Sequence, residues 1–262
     1  MAADKKPQPI PSVWTRRPRT AEQPGLSQEA IVREAIVMLD ADGIEALSMR
    51  KLAARLNAGA TSLYRHVATK DELMELAVDE VFGEMVVPPA DSADSADWRT
   101  AAARAAASFR ATALRHPWLS SVLGQAGLAY LGPNLMSFSN RLAALFIKAG
   151  FPEPTRAIDT LIAYVMGMSS AEAAWLTTVA RSGETEAGLI ARLMPDAQQA
   201  AAAHDNLTEA YAETAEAVGA VGAAAEGFDP VGMRDEKFVY GLEAMLDGLA
   251  LRLPAAGPPP VE

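Results

Sequence analysis

The sequence predicts an all-α protein in two parts: an N-terminal bundle of short helices and a larger C-terminal helical domain. Three observations carry this. Half of the residues are hydrophobic and only 6% are aromatic, and alanine dominates, a composition suited to closely packed helices. Apolar residues recur at helical spacing, as in Ile31, Val32, Ala35 and Leu39. Helix caps also stand at short intervals, with Ser27, Ser48 and Thr69 each opening a periodic stretch and Gly43 closing one.

Residues 1–25, rich in proline and charge, read as a disordered basic arm. The first helix follows Ser27 and ends at Gly43. The second runs from Met49 to Leu56, with Ser48 as N-cap and Leu47 and Leu52 as a hydrophobic staple. Asn57 follows the last apolar residue, where a left-handed residue ends a helix. Gly59 opens a third helix, Ala60 to His66, with Leu63 and Val67 inward and Thr61, Ser62, Tyr64 and Arg65 outward. Thr69 and Glu72 form a capping box for a fourth helix, reaching about Met85. Val87-Pro88-Pro89 and the DSADSAD run then break the chain. This places an N-terminal domain at 26–86, a body at 95–253 and a disordered tail at 254–262.

Within the body the spacing predicts helices over Trp98–Arg115, Trp118–Leu123, Pro133–Ala149, Pro154 to about Arg181, and Met233–Leu253. Ser182 to Val231 is rich in Ala, Gly and Glu. It reads as mobile, with one helix over Leu207–Val218.

The window Ser48 to Lys70 holds Arg50, Lys51, Arg55, Arg65 and Lys70 with no acidic residue, in a chain of formal net charge -10. Between Arg16 and Lys70 there are nine Lys/Arg and six Asp/Glu; from Gly83 onward there are twelve and twenty-one. A basic window on an acidic chain suits an element that docks on a polyanion. Two short helices joined by a tight turn have the form of a helix-turn-helix, whose second helix enters the DNA major groove.

These residues resemble the DNA-binding domain of the tetracycline-repressor family. The likeness lies in Gly43 to Ala53 (GIEALSMRKLA), Thr61 to Val67 (TSLYRHV) and Thr69 to Leu73 (TKDEL). The chain departs from the family pattern at Asn57, where the turn usually has Gly, and at Gly59 and Ala60, where polar residues usually start the recognition helix. The resemblance implies a DNA-binding set of Ser48, Arg50, Lys51, Ala60, Thr61, Ser62, Tyr64, Arg65, His66 and Lys70. Within it Arg50 reads a base and Tyr64, His66 and Lys70 hold phosphates; Ala60 departs from the pattern and has no hydrogen-bonding side chain, though Ala and Thr methyls can pack on a thymine methyl.

Other chemistry finds no support. There are no cysteines, which excludes disulfides and thiolate metal sites. The three histidines, His66, His116 and His204, have neither metal-ligand nor catalytic spacing. No catalytic residue, metal or cofactor is expected, and His116 is explained by its place at a helix end. The N-terminal stretch has no apolar run of a secretory signal, and Thr160 to Trp175 is too short for a membrane span. The expectation is a cytoplasmic protein.

In the body, Phe238, Leu242, Met245 and Leu249 recur at 4, 3, 4 spacing, and the Pro154 helix is apolar on several sides. The resemblance implies that these two helices form a four-helix homodimer interface with a second copy. A dimer would read a palindromic double-stranded operator with half-sites roughly 34 to 36 Å apart. Phe109, Trp118, Phe138, Leu142, Tyr164, Met166, Ser170 and Trp175 are the expected lining of an effector pocket. Ser169, Asn134 and Asn140 are further polar anchors, and Tyr130 is a further apolar one. No charged cluster lies near them in sequence, which points to a largely apolar small molecule. The expected function is a ligand-responsive DNA-binding transcriptional repressor, not an enzyme. A regulator controlled by a protein partner, and a helical enzyme or carrier with a vestigial helix-turn-helix, are the competing readings. A solid C-terminal core would favour the first of these, and absence of salt-sensitive DNA binding the second.

Overall fold

The computed structural model describes Trp14 and residues 26–89, 97–123, 132–210 and 228–254. Every regular element among them is helical. The order is α1 (Gln28–Asp42), a short 3-10 turn (Ile44–Ala46), α2 (Met49–Arg55), α3 (Ala60–His66), α4 (Lys70–Phe82), α5 (Trp98–Arg115), α6 (Trp118–Leu123), α7 (Pro133–Lys148), α8 (Pro154–Ser182), α9 (Glu186–Ala201), α10 (Asp205–Ala210) and α11 (Pro230–Ala250). The arm, apart from Trp14, and the expected pocket residue Tyr130 lie outside the described residues. So do the second half of the Leu207–Val218 helix and residues 255–262 of the tail. No helix among the described residues is long and apolar enough to cross a membrane.

The caps act where the sequence places them. Ser27 Oγ accepts from Ala30 N, Ser48 Oγ from Lys51 N, and Thr69 Oγ1 from Glu72 N at 3.0 Å. Each satisfies a backbone donor that a helix start leaves orphaned. Glu72 reaches back to Ala68 N at 3.1 Å, one residue short of the cap itself. Gly43 ends α1 with φ 76°, in the region that favours glycine.

The chain forms two compact units. One holds α1–α7, α8 up to Ser170 and α11 from Leu246; the other is Ala171–Met245. In the first, α1 packs on α2 and α4, α2 on α3, α4 on α7, and α5 on α6 and α7. Ile31, Leu39, Leu52, Leu63, Val67, Leu73 and Val78 are fully buried at its N-terminal end. In the second unit, Leu189, Phe238 and Leu242 are buried. Glu172 of α8, Glu186 of α9 and Arg234 of α11 form an ion cluster there.

Three helix expectations change. The fourth helix stops at Phe82, because a turn closed by Gly83, Glu84 and Met85 amides replaces its last residues. Of the segment read as the domain boundary, Met85, Val87 and Pro88 are buried, Val86 and Pro89 are exposed, and residues 90–96 lie outside the described residues. A full helix, α9, occupies Glu186–Ala201 in the stretch expected to be mobile. Its signal was local, since Thr185 caps Gly188 N and Glu186 stands in the first turn; Pro195 inside it argued against a helix. The last helix begins at Pro230, with Asp229 Oδ1 accepting from Val231 N.

His116 is not merely a helix end. It is 6% exposed. Its Nδ1 lies 2.8 Å from Asp40 Oδ1 of α1, and its Nε2 lies 3.3 Å from Glu84 Oε2. Trp118 Nε1 donates to the same Asp40 oxygen at 2.7 Å, and Arg115 donates to Glu84 at 2.7 Å. Partial burial works against the charge of Glu84. The hydrogen bonds from Arg115 and His116 more than offset it and hold the carboxyl below its ordinary 4.5. A depressed carboxyl stabilises the fold above its unfolded value, and that contribution is lost as pH falls through the folded value. Glu84→Gln is therefore expected to lower the melting temperature at neutral pH. Its deficit against wild type should close as pH falls below 4.5 in thermal melts.

Candidate nucleic-acid interface

The α2–turn–α3 unit is built from alternating obligations. Met49, Leu52 and Ala53 of α2 and Leu63 of α3 are buried, as is Val67 just after α3. They fix the two helices against the bundle and leave the other faces free. Asn57 stands in the turn with φ 49°, the only described non-glycine residue at positive φ. Asn tolerates this left-handed conformation better than most residues. Ala58 N donates to Ala53 O at 2.9 Å and closes the helix end. Gly59 has extended backbone and precedes α3 without a side-chain cap. Ser62 N turns to Gly59 O instead, at 2.9 Å.

The outer surface holds most of the expected DNA-contact set. Arg50, Lys51, Thr61, Tyr64 and Arg65 are exposed, and Ser48, Ala60, Ser62, His66 and Lys70 are half-buried. Arg50, Lys51 and Arg65 pair with no carboxylate among the described residues. Arg55 belongs to the same basic window but not to this surface set. It pairs with Glu34 and ties α2 to α1. Gln28 Nε2 donates to His66 O at 3.3 Å, joining the end of α3 to the start of α1. Lys70 Nζ donates to Ile44 O at 3.2 Å, so the first turn of α4 is pinned to the 3-10 turn before α2. Three exposed cations beside exposed hydroxyls on a rigid helix pair can neutralise phosphates and reach base edges.

The expected effector residues do not come together as one set. Phe109, Phe138 and Leu142 are buried in the first unit. Phe82 of α4 joins them, its ring centroid 6.0 Å from Phe109 and 5.5 Å from Phe138 in edge-to-face contacts. Sequence reading missed Phe82 because it falls in the helix assigned to the DNA-binding part. Trp118 is buried but directed by its indole bond to Asp40. Tyr164 and Met166 are half-buried, while Ser170 and Asn140 are exposed. The buried serine is Ser169, at 0% exposure; one residue along a helix turns a side chain by about 100°. Asn134 is engaged with Asp79 of α4.

Trp175 belongs to the second unit. Its Nε1 donates to Glu186 Oε1 at 2.6 Å, and Arg234 bridges Glu186 and Glu172. The inference that charge is absent around these residues fails here, because the carboxylates and the guanidinium arrive from three different helices. Of the expected dimer stripe, Phe238 and Leu242 are 3% and 4% exposed within their own chain. They are intramolecular core, since almost none of their surface remains for a partner. Met245 and Leu249 are half-buried.

An all-helical chain with a capped helix-turn-helix and an exposed basic recognition surface defines a DNA-binding regulator. The comparisons give the family. Residues 31–77 match the model for bacterial regulatory proteins of the tetR family, and residues 89–253 match the tetracyclin repressor-like C-terminal domain. The chain belongs to the tetracycline-repressor family of transcriptional regulators. It is 42% identical over 171 residues to an HTH-type transcriptional regulator of Saccharopolyspora erythraea, covering 63% of this chain and 69% of that one. It is 32% identical over 236 residues to the HTH-type transcriptional repressor DrrR1 of Streptomyces coeruleorubidus, covering 89% and 81%. The structure of ActR of Streptomyces coelicolor in complex with actinorhodin superposes with a TM-score of 0.66 at 28% identity, covering 87% of this chain and 97% of that one.

Two substitutions separate the kinds of contact. Arg50→Ala is expected to relax base preference at the position it contacts, a loss of about 1–3 kcal/mol of discrimination. Lys70→Ala is expected to weaken binding on every sequence alike and to reduce the salt slope by about 1. Titrations of selected DNA fragments at several salt concentrations read both effects.

Proposed function

We propose that this regulator binds a palindromic operator as a homodimer, acts as a repressor, and is released by a small, largely apolar effector. Residues 26–86 form the DNA-binding module and 95–253 the effector and dimerisation module. Arg50 reads a base, and Lys51, Tyr64, Arg65, His66 and Lys70 hold phosphates. The observation that carries the reading is the outward basic face of α2 and α3, where Arg50, Lys51 and Arg65 pair with no carboxylate among the described residues of a chain of net charge -10. Retardation of selected DNA fragments tests it. A shift that weakens steeply with salt supports the reading, and no shift on any fragment overturns it.

The proposed partner face lies on the solvent side of α11 and α8. Tyr240 is 79% exposed and Val239 45%. Ala244, one turn on from Tyr240, is exposed too. In the same unit the outer edge of α8 carries Ala171 and Ala174, both exposed. Small residues let a second helix approach closely. Ala244→Arg places a bulky charge on this face and is expected to give a folded monomer by sedimentation. Phe238→Ala is expected instead to cost about 3–5 kcal/mol of stability.

The apolar character of the effector is supported by Phe82, Phe109, Phe138 and Leu142 on the inner faces of α4, α5 and α7. That DrrR1 is a repressor, and that ActR was solved with actinorhodin, support the sign and the ligand response. The polar anchor is Ser169 in place of Ser170. Its buried hydroxyl has no hydrogen-bond partner among the described residues, and an effector carrying a hydrogen-bonding group would supply one. An unsatisfied buried hydroxyl costs about 1–3 kcal/mol. Ser169→Ala is therefore expected to raise the stability of the free protein in chemical denaturation.

A further inference from the structure

Helix α7 begins without a cap of its own. Its N-cap residue is Gly132, which has no side chain to offer. The cap comes from another helix. Asp79 of α4 accepts from Asn134 N at 3.0 Å and from Leu135 N at 2.9 Å, both on Oδ1, across 55 and 56 residues of sequence. The Asn134 side chain adds a further hydrogen bond. Gly132 is part of the same contact: a Cβ built there would lie 2.1 Å from Asp79 Oδ1 and 2.6 Å from Asp79 Cβ. Any larger residue at 132 must push the carboxylate off the helix end.

We infer that this contact is the positioning element that sets the angle of the DNA-binding helices on the body. Helix α4 packs on α1 on one side and on α7 on the other. Its first residue, Lys70, is pinned to Ile44 O and follows the buried Val67 at the end of α3 by three residues. A rotation of α4 is therefore carried directly to α3. A further contact between α4 and α7 is apolar, Phe82 against Phe138. Apolar contacts are non-directional and allow sliding. Two hydrogen bonds from a rigid helix end onto one carboxylate oxygen fix both distance and direction. A second tie stands on a different helix, where Asp40 of α1 receives Trp118 and His116 from the α5–α6 corner. With α1 held at that corner and α4 held at α7, a displacement of α7 against α5 and α6 turns α4 against α1. This deepens the regulatory reading above and rests on it for the consequence in operator release, but the geometry stands without it.

The chain has no cysteine, so two introduced cysteines give two unique spin-label positions. Ala54→Cys on α2 and Asn140→Cys on α7 are both exposed. Dilution of the labelled protein into unlabelled chain leaves only the distance within one chain. The wild-type distance distribution is expected to be a single narrow peak. Asp79→Ala and Gly132→Ala are expected to shift it by several ångströms or broaden it about twofold, as a released hinge does. Asp79→Asn keeps an oxygen acceptor for both amides and is expected to stay with wild type, a rescue that a merely space-filling role would not need to show. Circular dichroism confirms the folding of each variant. If Asp79→Ala fails to fold, Gly132→Ala makes the same test from the other side. A wild-type distribution in folded Asp79→Ala or Gly132→Ala overturns the proposal, as does an Asp79→Asn distribution as broad as that of Asp79→Ala. The measurement uses neither DNA nor effector. Its failure would leave the regulatory reading standing, and failure of wild-type protein to bind DNA would remove that reading without altering the distances.

Discussion

Helix α4 buries ten of its thirteen residues, and three of the ten are carboxylates. A surface helix buries one stripe; one buried nearly all round needs partners on several sides. Here α1 supplies one side and α7 the other. That requirement explains features that look unrelated. The stretch after α4 alternates, with Met85 and Val87 buried and Glu84 and Val86 exposed, so the chain stays packed along one edge as it leaves the helix. Gly132 stands at the start of α7 because Asp79 occupies the space a side chain would take. Phe82 joins Phe109 and Phe138 because the end of α4 faces the body.

The polar contacts in this region favour one arrangement over its neighbours more than they add to stability. Burial raises the pKa of Asp79, and the two backbone amides and the Asn134 side chain only partly offset this. An apolar residue of similar volume would avoid that desolvation, but it would leave the α7 amides without a partner and the helix free to slide. The Asp40 contact has the same character. One carboxylate oxygen receives an indole N–H and faces an imidazole nitrogen, both from a segment more than seventy residues away. Cores filled by Leu, Ile and Phe tolerate small sliding motions, whereas directed hydrogen bonds do not. Under the proposed positioning role, directed contacts at the junction are what such a role requires.

What could be read from the sequence was local. Ser27, Ser48 and Thr69 announce their helices because a cap needs only the next three residues. Asn57 announces the turn because few residues accept a left-handed backbone. The exposed face of α3 follows from Leu63 and Val67 by helical geometry alone. What could not be read depended on distance. Nothing near Asp79 signals that residues 55 positions away need its oxygen. Phe238 and Leu242 have the spacing of an interface stripe, but spacing cannot say whether the apolar neighbour is the same chain or a second copy; their burial answers that. Ser169 and Ser170 are interchangeable in composition, and only the rotation of α8 decides which faces inward. The charges around Trp175 come from α9 and α11 as well as from α8.

The same distinction bears on charge. Counting residues makes the Ser48 to Lys70 window uniformly basic, but the fold divides it. Arg55 is neutralised by Glu34, and Lys70, half-buried, gives one of its three N–H donors to Ile44 O. Arg50, Lys51 and Arg65 are left facing outward. Three exposed cations are a modest footprint, and an acidic chain would cancel them if its charges acted at full strength over the whole molecule. They do not, because at physiological salt the screening length is about 8 Å. A phosphate docked on α2 and α3 therefore feels the cations it touches far more than any carboxylate beyond that length. The overall negative charge disfavours non-specific wrapping of DNA and leaves binding to a small surface whose shape α4 sets.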